Sequence, residues 1–279
     1  MPNEPDAQTY WQQLAAAYSS VGPPLMPSPE DTGLMRAAFE HFTSGSRRRH
    51  ALLLGVTPSL ANIELDDGWS LTAVDKSFAM VRGVWPGDII SRRRAFCGDW
   101  ARLPLEDASC NIVLGDGAMN CVPYPEGARA LASSVRRVMS DAAILALRCY
   151  IPPEPHETPD DVFRDLMEGS IATFHQFKFR ILIAMQERTD QGIAVKDVYE
   201  AWRRHVDREK LIMRTGWEPR DIDTIEMYKG RDTVHYFPAL GEFRTLLGEF
   251  FEEVTLWRPN YVLGECCPTM VWKRREESR

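Results

Sequence analysis

The chain has 279 residues, 44% hydrophobic and 26% charged, enough to bury one large core or one core with an inserted subdomain. With 33 Lys and Arg against 40 Asp and Glu, its formal net charge of −7 excludes the basic field that a general nucleic-acid or anionic-membrane binder needs. Met1-Pro2-Asn3-Glu4-Pro5-Asp6 lacks the basic and apolar regions of a signal peptide, and no apolar run reaches the ~18 residues of a membrane span, so a cytoplasmic protein is expected.

Tyr10, Trp11, Leu14, Ala15 and Tyr18 recur at helical spacing and predict a helix over 8–20. A proline-rich stretch follows at 21–29. Ser28 then caps a helix that starts at Pro29 and runs to about Phe42. Residues 44–50, with three consecutive arginines, read as a charged loop entering the first strand. Short apolar runs predict strands over 51–55, 71–75, about 93–97, 111–115 and 143–151, with helices between them at 77–84 and 125–139. Such alternation predicts an α/β fold, a doubly wound, mostly parallel Rossmann-like sheet. Past Pro152-Pro153 the periodicity turns helical, from Val162 and Phe163 through Phe174 and Phe177 to Val198 and Trp202. An amphipathic helix over 239–251 and strands at 254–258 and 269–273 close the chain, the two strands able to pair as an antiparallel hairpin. The expected organisation is therefore N-terminal helices and a Pro-rich cap over 1–46, a cofactor-binding domain built from 47–153 and 236–279, and a helical insertion over 154–235 serving as substrate lid.

Six cysteines, at 97, 110, 121, 149, 266 and 267, form no CxxC pair and no Cys/His ligand spacing. They read as reduced core thiols, and no metal site is expected.

Four strand ends carry the functional signal: Leu54-Gly55-Val56-Thr57, Val74-Asp75-Lys76-Ser77, Cys97-Gly98-Asp99-Trp100 and Gly115-Asp116-Gly117. Buried parallel strands deliver such groups to one carboxyl edge, where open α/β sheets bind ligands. An acid 20 residues after a glycine turn suits a ribose held by carboxylate hydrogen bonds, so a nucleoside-containing cofactor is expected. A nicotinamide or flavin dinucleotide fits poorly, because Thr57 and Leu60 stand where its fingerprint needs the second and third glycines.

Over about 50–150 and 239–273 these segments resemble the class I S-adenosylmethionine-dependent methyltransferases. The first motif of that family is hydrophobic–acid–hydrophobic–Gly-x-Gly-x-Gly. Here Leu53 replaces the acid, and Gly55-Val56-Thr57-Pro58-Ser59 keeps only the first glycine. The resemblance implies S-adenosylmethionine as cofactor and methyl transfer to a small-molecule acceptor by in-line displacement, mainly through proximity. It places Gly55, Val56 and Thr57 at the first turn, and Asp75 with Lys76 and Ser77 at the ribose. Gly98, Asp99 and Trp100 fall at the adenine, with Met80 or Trp100 packing on a ring face. Asp116 and Gly117 fall beside the methionine moiety and the sulfonium.

For the acceptor side, Tyr150 ends the fifth strand and Asn120 follows Asp116 by one turn, which makes both candidate substrate contacts. His175, flanked by Phe174, Phe177 and Phe179, is the candidate general base, ahead of His156 and His235. A non-catalytic, methyltransferase-like cofactor-binding or scaffold protein is the alternative, motivated by Leu53 and Pro58. The oligomeric state is left open by the sequence, a homodimer included.

Overall fold

Helix α1 (Glu4–Ala17) and helix α2 (Pro29–Phe42) come first, joined by a 3-10 turn at Tyr18–Ser20 and the proline-rich segment. In this computed structural model the described residues are 4–42, 49–64, 68–90 and 92–275, so most of the arginine-bearing entry loop lies outside them. Ser28 caps α2 as expected. Its Oγ accepts from the Asp31 amide at 3.1 Å, while the Asp31 carboxylate accepts from the Ser28 amide at 2.8 Å, which satisfies donors the helix start would leave orphaned.

The sheet begins with β1 (His50–Leu54), α3 (Pro58–Ala61), β2 (Ser70–Asp75), α4 (Phe78–Gly83) and β3 (Arg93–Cys97). It continues with β4 (Cys110–Asp116), α5 (Glu126–Val138) and β5 (Met139–Arg148). A mostly helical segment then intervenes: α6 (Pro159–Glu168), α7 (Phe174–Ala184), β6 (Ile193–Ala194), α8 (Val195–His205), α9 (Arg208–Thr215), α10 (Pro219–Asp223) and β7 (Val234–His235). The chain returns through α11 (Leu240–Gly248) to β8 (Phe251–Trp257) and β9 (Thr269–Arg274).

The seven-stranded sheet has the order β3-β2-β1-β4-β5-β9-β8. β1 pairs with β2 and β4, and these with β3 and β5, all parallel; β9 runs antiparallel to both β5 and β8. The central strands are apolar on both faces because both are covered. Leu52, Leu54, Val113, Leu145 and Trp272 pack towards α5 and α11. Their alternates Ala51, Leu53, Ile112, Ala146 and Val271 pack towards α2, α3 and α4. Leu53, where the family's acid would stand, is fully buried in that second layer.

A third core, built from Phe163, Phe174, Phe177, Ile181, Val198, Trp202 and Tyr228, belongs to the inserted segment and takes in Tyr10 of α1. The insertion is not wholly helical as the periodicity suggests: β6 and β7 form an antiparallel ribbon, Ile193 opposite His235. Two-residue strands are too short to show a period of two in sequence. Among the described residues, no helix is long and apolar enough to cross a membrane.

Candidate functional site at the carboxyl edge

From β1 the chain winds outward to β2 and β3, then returns to β4 on the other flank of β1. The crevice beyond the carboxyl ends of β1 and β4 is thus a topological switch point, the place where doubly wound sheets hold ligands. All four strand ends singled out above meet there.

Gly55 follows β1 with a φ of +95°, a conformation that glycine adopts without steric cost. A Cβ at this position would lie 3.8 Å from Asp75 Oδ2 and 3.9 Å from Trp100 Cζ2, so three of the four turns converge within van der Waals reach. The Val74 carbonyl ties them together, accepting from the Gly55 amide at 2.8 Å and from Trp100 Nε1 at 2.6 Å. Asp75 spends Oδ1 on the Ser77 amide at 2.7 Å and turns Oδ2 towards the crevice. Burial pushes its carboxyl up to about 6, held back by the Ser77 amide. Asp99 is exposed and caps the 3-10 turn at Trp100–Arg102 through one oxygen, and Gly98 packs 3.0 Å from Val74 Cγ1 at its Cβ position. Lys76 is exposed on the same rim.

Packing limits how two of the expected residues can act. The Val56 side chain is core, so only its backbone can face a ligand. Met80 is buried among the α2, α3 and α4 side chains, whereas Trp100 packs on the opposite layer.

Asp116 has a partner that the sequence does not announce: Arg148 Nη1 lies 2.7 Å from its Oδ1 in a pair that is almost wholly buried. Arg148 also contacts Asp31 at 3.1 Å and donates to Tyr150 Oη at 3.0 Å, Tyr261 Oη at 3.2 Å and the Pro24 carbonyl at 2.7 Å. Burial works against the Arg148 charge, but Tyr150 and Asp116 hold it protonated. Burial also drives the Asp116 carboxyl up, and Arg148 opposes that shift. The network pins the proline-rich segment against the end of β5. Gly117, at φ +59°, is needed here because a Cβ would fall 2.7 Å from Tyr150 Cε2.

Tyr150 thus belongs to this network, and Asn120 proves to be a clamp. Both Asn120 amide hydrogens are spent, on the Tyr150 and Tyr236 carbonyls at 2.9 and 2.7 Å, and its Oδ1 accepts from the Tyr150 amide. Its backbone carbonyl takes the Tyr236 amide as well. Asn120 therefore ties β7 of the insertion to the end of β4, with no amide hydrogen left for a substrate.

His175 is likewise corrected. Its ring packs on Gly22, whose Cβ position is 3.0 Å from His175 Cδ2, and bonds the Ser20 backbone; Nδ1 is buried without a partner. It stands behind the proline-rich segment. Burial and neighbouring Lys178 push it down to about 4. His156 is exposed.

The imidazole that reaches the crevice is His235. Its Nδ1 is 3.9 Å from Cys121 Sγ and its Nε2 is 3.5 Å from Tyr10 Oη. Cys121, in the turn that follows Asp116, feels the charges of Asp116 and Asp75, and burial pushes its thiol up to about 12. On the other rim Tyr18 hydrogen-bonds Thr57, and burial together with Asp116 and Asp75 raises its phenol. Tyr18, Asp75, Cys121 and His235 are each partly exposed, yet burial is the largest cause of the shift at every one of them. α1 packs on α4 and on the insertion and so roofs the crevice, with Ala15 Cβ 3.2 Å from the Cβ position of Gly83.

All six cysteines are free, and only Cys121 borders the crevice in the contacts described. Among the described residues, no group of three or more His, Cys, Asp or Glu side chains is placed to hold a metal ion.

No family model matches the chain, and no curated protein matches it. Several solved structures share its architecture. The CcbJ methyltransferase from Streptomyces caelestis aligns over 96% of this chain and 98% of its own, at 13% identity and a TM-score of 0.55. A chain of the complex between the Haloferax volcanii Trm112 methyltransferase activator and a methyltransferase aligns over 95% and 98%, at 10% identity and a TM-score of 0.50. A protein from Rhodobacter sphaeroides solved under the name of Zn-dependent alcohol dehydrogenase aligns over 95% and 98%, at 15% identity and a TM-score of 0.58. Dinucleotide-binding sheets run 3-2-1-4-5-6 and parallel, whereas here an antiparallel strand is inserted beside β5. The fold is that of the class I S-adenosylmethionine-dependent methyltransferases.

Proposed function

We propose that the chain transfers a methyl group from S-adenosylmethionine to a small-molecule acceptor. The observation that carries this reading is the meeting of the Gly55 turn, Asp75 Oδ2 and the Trp100 ring at the switch point. The residues fit the cofactor. Asp75 has one oxygen free to accept from both ribose hydroxyls, and Asp99 has one free for the adenine amine. Gly55 leaves room for the chain of the ligand, and Tyr18 stands beside it from the 3-10 turn that follows α1. When bound, the cofactor supplies a methyl group activated by a sulfonium. The protein's share is then alignment and exclusion of water. α1 and the His235-bearing ribbon close the acceptor side, which favours a small molecule over a folded macromolecule. The pairing with Arg148 gives Asp116 a fixed orientation.

The rival scaffold reading has one observation in its favour: the Gly55 amide is already spent on Val74, so the altered first turn offers fewer donors to a ligand carboxylate. Incubation with methyl-labelled S-adenosylmethionine and a panel of small alcohols, phenols, amines and thiols separates the two. Label in an acceptor with equimolar S-adenosylhomocysteine is the expected result. Cofactor binding without transfer to any member of the panel favours the scaffold.

A further inference from the structure

We propose that His235 is the proton acceptor of the transfer step, and that the acceptor is therefore a hydroxyl compound, an alcohol or a phenol. This rests on the methyl-transfer reading and deepens it. In the contacts described, His235 is the imidazole bordering the crevice, and its surroundings orient it. One side of the ring faces the turn after β4: the Asn120 backbone bonds it, and Cys121 Sγ stands 3.9 Å from Nδ1. With Nδ1 turned to that side, a ring hydrogen carried there would leave Nε2 as the lone-pair nitrogen, and Nε2 faces Tyr10 Oη across a loose 3.5 Å. Catalytic hydrogen bonds are often long before substrate arrives. An acceptor hydroxyl that reaches the ring takes the place of Tyr10 Oη at Nε2.

The surrounding groups keep the imidazole neutral. Burial lowers it to about 4, and the Lys178 charge on α7 adds to the effect. Lys178 Nζ is buried against Thr224, with the Tyr228 ring at 4.6 Å, and Tyr228 in turn stands 6.1 Å from Tyr10. Tyr10 and Cys121 face the ring as neutral groups, since burial raises both. A base this weak suffices. As the acceptor oxygen's lone pair bonds to the methyl carbon, the C–S pair stays with sulfur, and the hydroxyl proton becomes as acidic as that of an oxonium ion. His235 Nε2 takes that proton downhill and releases it to water after the ether product leaves. An amine acceptor needs no such group, because its neutral form attacks unaided.

Asn120 is the positioning residue. It holds the Tyr236 backbone at both ends and so fixes His235 one residue earlier.

The test uses the full chain and His235→Gln, with His175→Gln as control. For phenol acceptors, His235→Gln is expected to lower kcat about 100-fold or more, with S-adenosylhomocysteine affinity within about twofold of wild type; His175→Gln keeps kcat. Asn120→Ala should lower kcat while leaving the KM for the cofactor unchanged. A second readout needs no turnover. In 15N spectra His235 should show a neutral ring at pH 7, and added phenol should shift its Nε2 resonance in the wild type. Wild-type kcat in His235→Gln, transfer to amines alone, or an Nε2 resonance indifferent to every hydroxyl compound overturns the proposal. Failure of the wild type to bind S-adenosylhomocysteine sinks the methyl-transfer reading instead, and the phenol-induced shift still decides the role of His235 as a hydroxyl site.

Discussion

At the scale of single residues, two carboxylates that look alike in sequence do different work. Asp75 is partly buried with no cationic partner among its contacts, and burial pushes its carboxyl up to about 6. An acid whose folded value is raised costs stability once ionised, so the unliganded fold loses stability as pH rises from about 4 to about 6. Ligand hydroxyls donating to the carboxylate favour the ionised form. Cofactor affinity should therefore rise between pH 5 and 7 and level off above, as calorimetry across that range would show. Asp75→Asn should abolish the dependence and weaken binding roughly 10- to 150-fold, the equivalent of ~1.5–3 kcal/mol for a charge-assisted hydrogen bond. Asp116, by contrast, shares Arg148 with Asp31. Replacing Arg148 with Met leaves Asp31 and Asp116 buried without a counter-charge, and should cost about 3–5 kcal/mol in urea unfolding. A midpoint shift worth under 1 kcal/mol would show that water reaches the pair. A charged residue ending the apolar run Ile144–Leu147 hints in the sequence at a buried partner. Which carboxylates it meets depends on contacts 32 and 117 residues away, and no spacing rule carries those.

At the scale of elements, the strands were legible because each is a short apolar run ended by a turn, and the parallel sheet follows from their alternation with helices. The shape of the acceptor side was not. β6 and β7 are two residues each, and they place His235 at the crevice only through a ribbon closed between distant segments and the Asn120 clamp. His175 looked better in sequence because its aromatic neighbours are adjacent. Those rings turn out to build the core of the insertion, and the imidazole faces the proline-rich segment. α1 was legible as a helix, yet its role as roof depends on its seat against α4. Gly83→Leu should pry α1 away, since even a Cβ there meets Ala15 at 3.2 Å. The expected outcome is faster proteolytic cleavage within 4–20 and several-fold weaker cofactor binding, with the melting transition still cooperative. Unchanged affinity would mean that α1 does not cover the cofactor.

At the scale of the whole molecule, two layers flank the sheet while a third core in the insertion shares Tyr10 with α1, so the crevice lies where the sheet edge, the roof and the insertion meet. A ligand seated there touches all three and should stabilise them together. At 100 times its Kd, S-adenosylhomocysteine should add ~2.7 kcal/mol to unfolding, visible as one shifted transition. The most direct measurement is calorimetric titration of the wild type and Asp75→Asn with S-adenosylhomocysteine, with NAD as the comparison ligand. The account predicts micromolar binding of the adenosyl ligand to the wild type, a loss of at least tenfold in Asp75→Asn, and no heat with NAD. Silence from S-adenosylhomocysteine, equal affinity in Asp75→Asn, or binding of NAD at the same edge would contradict it.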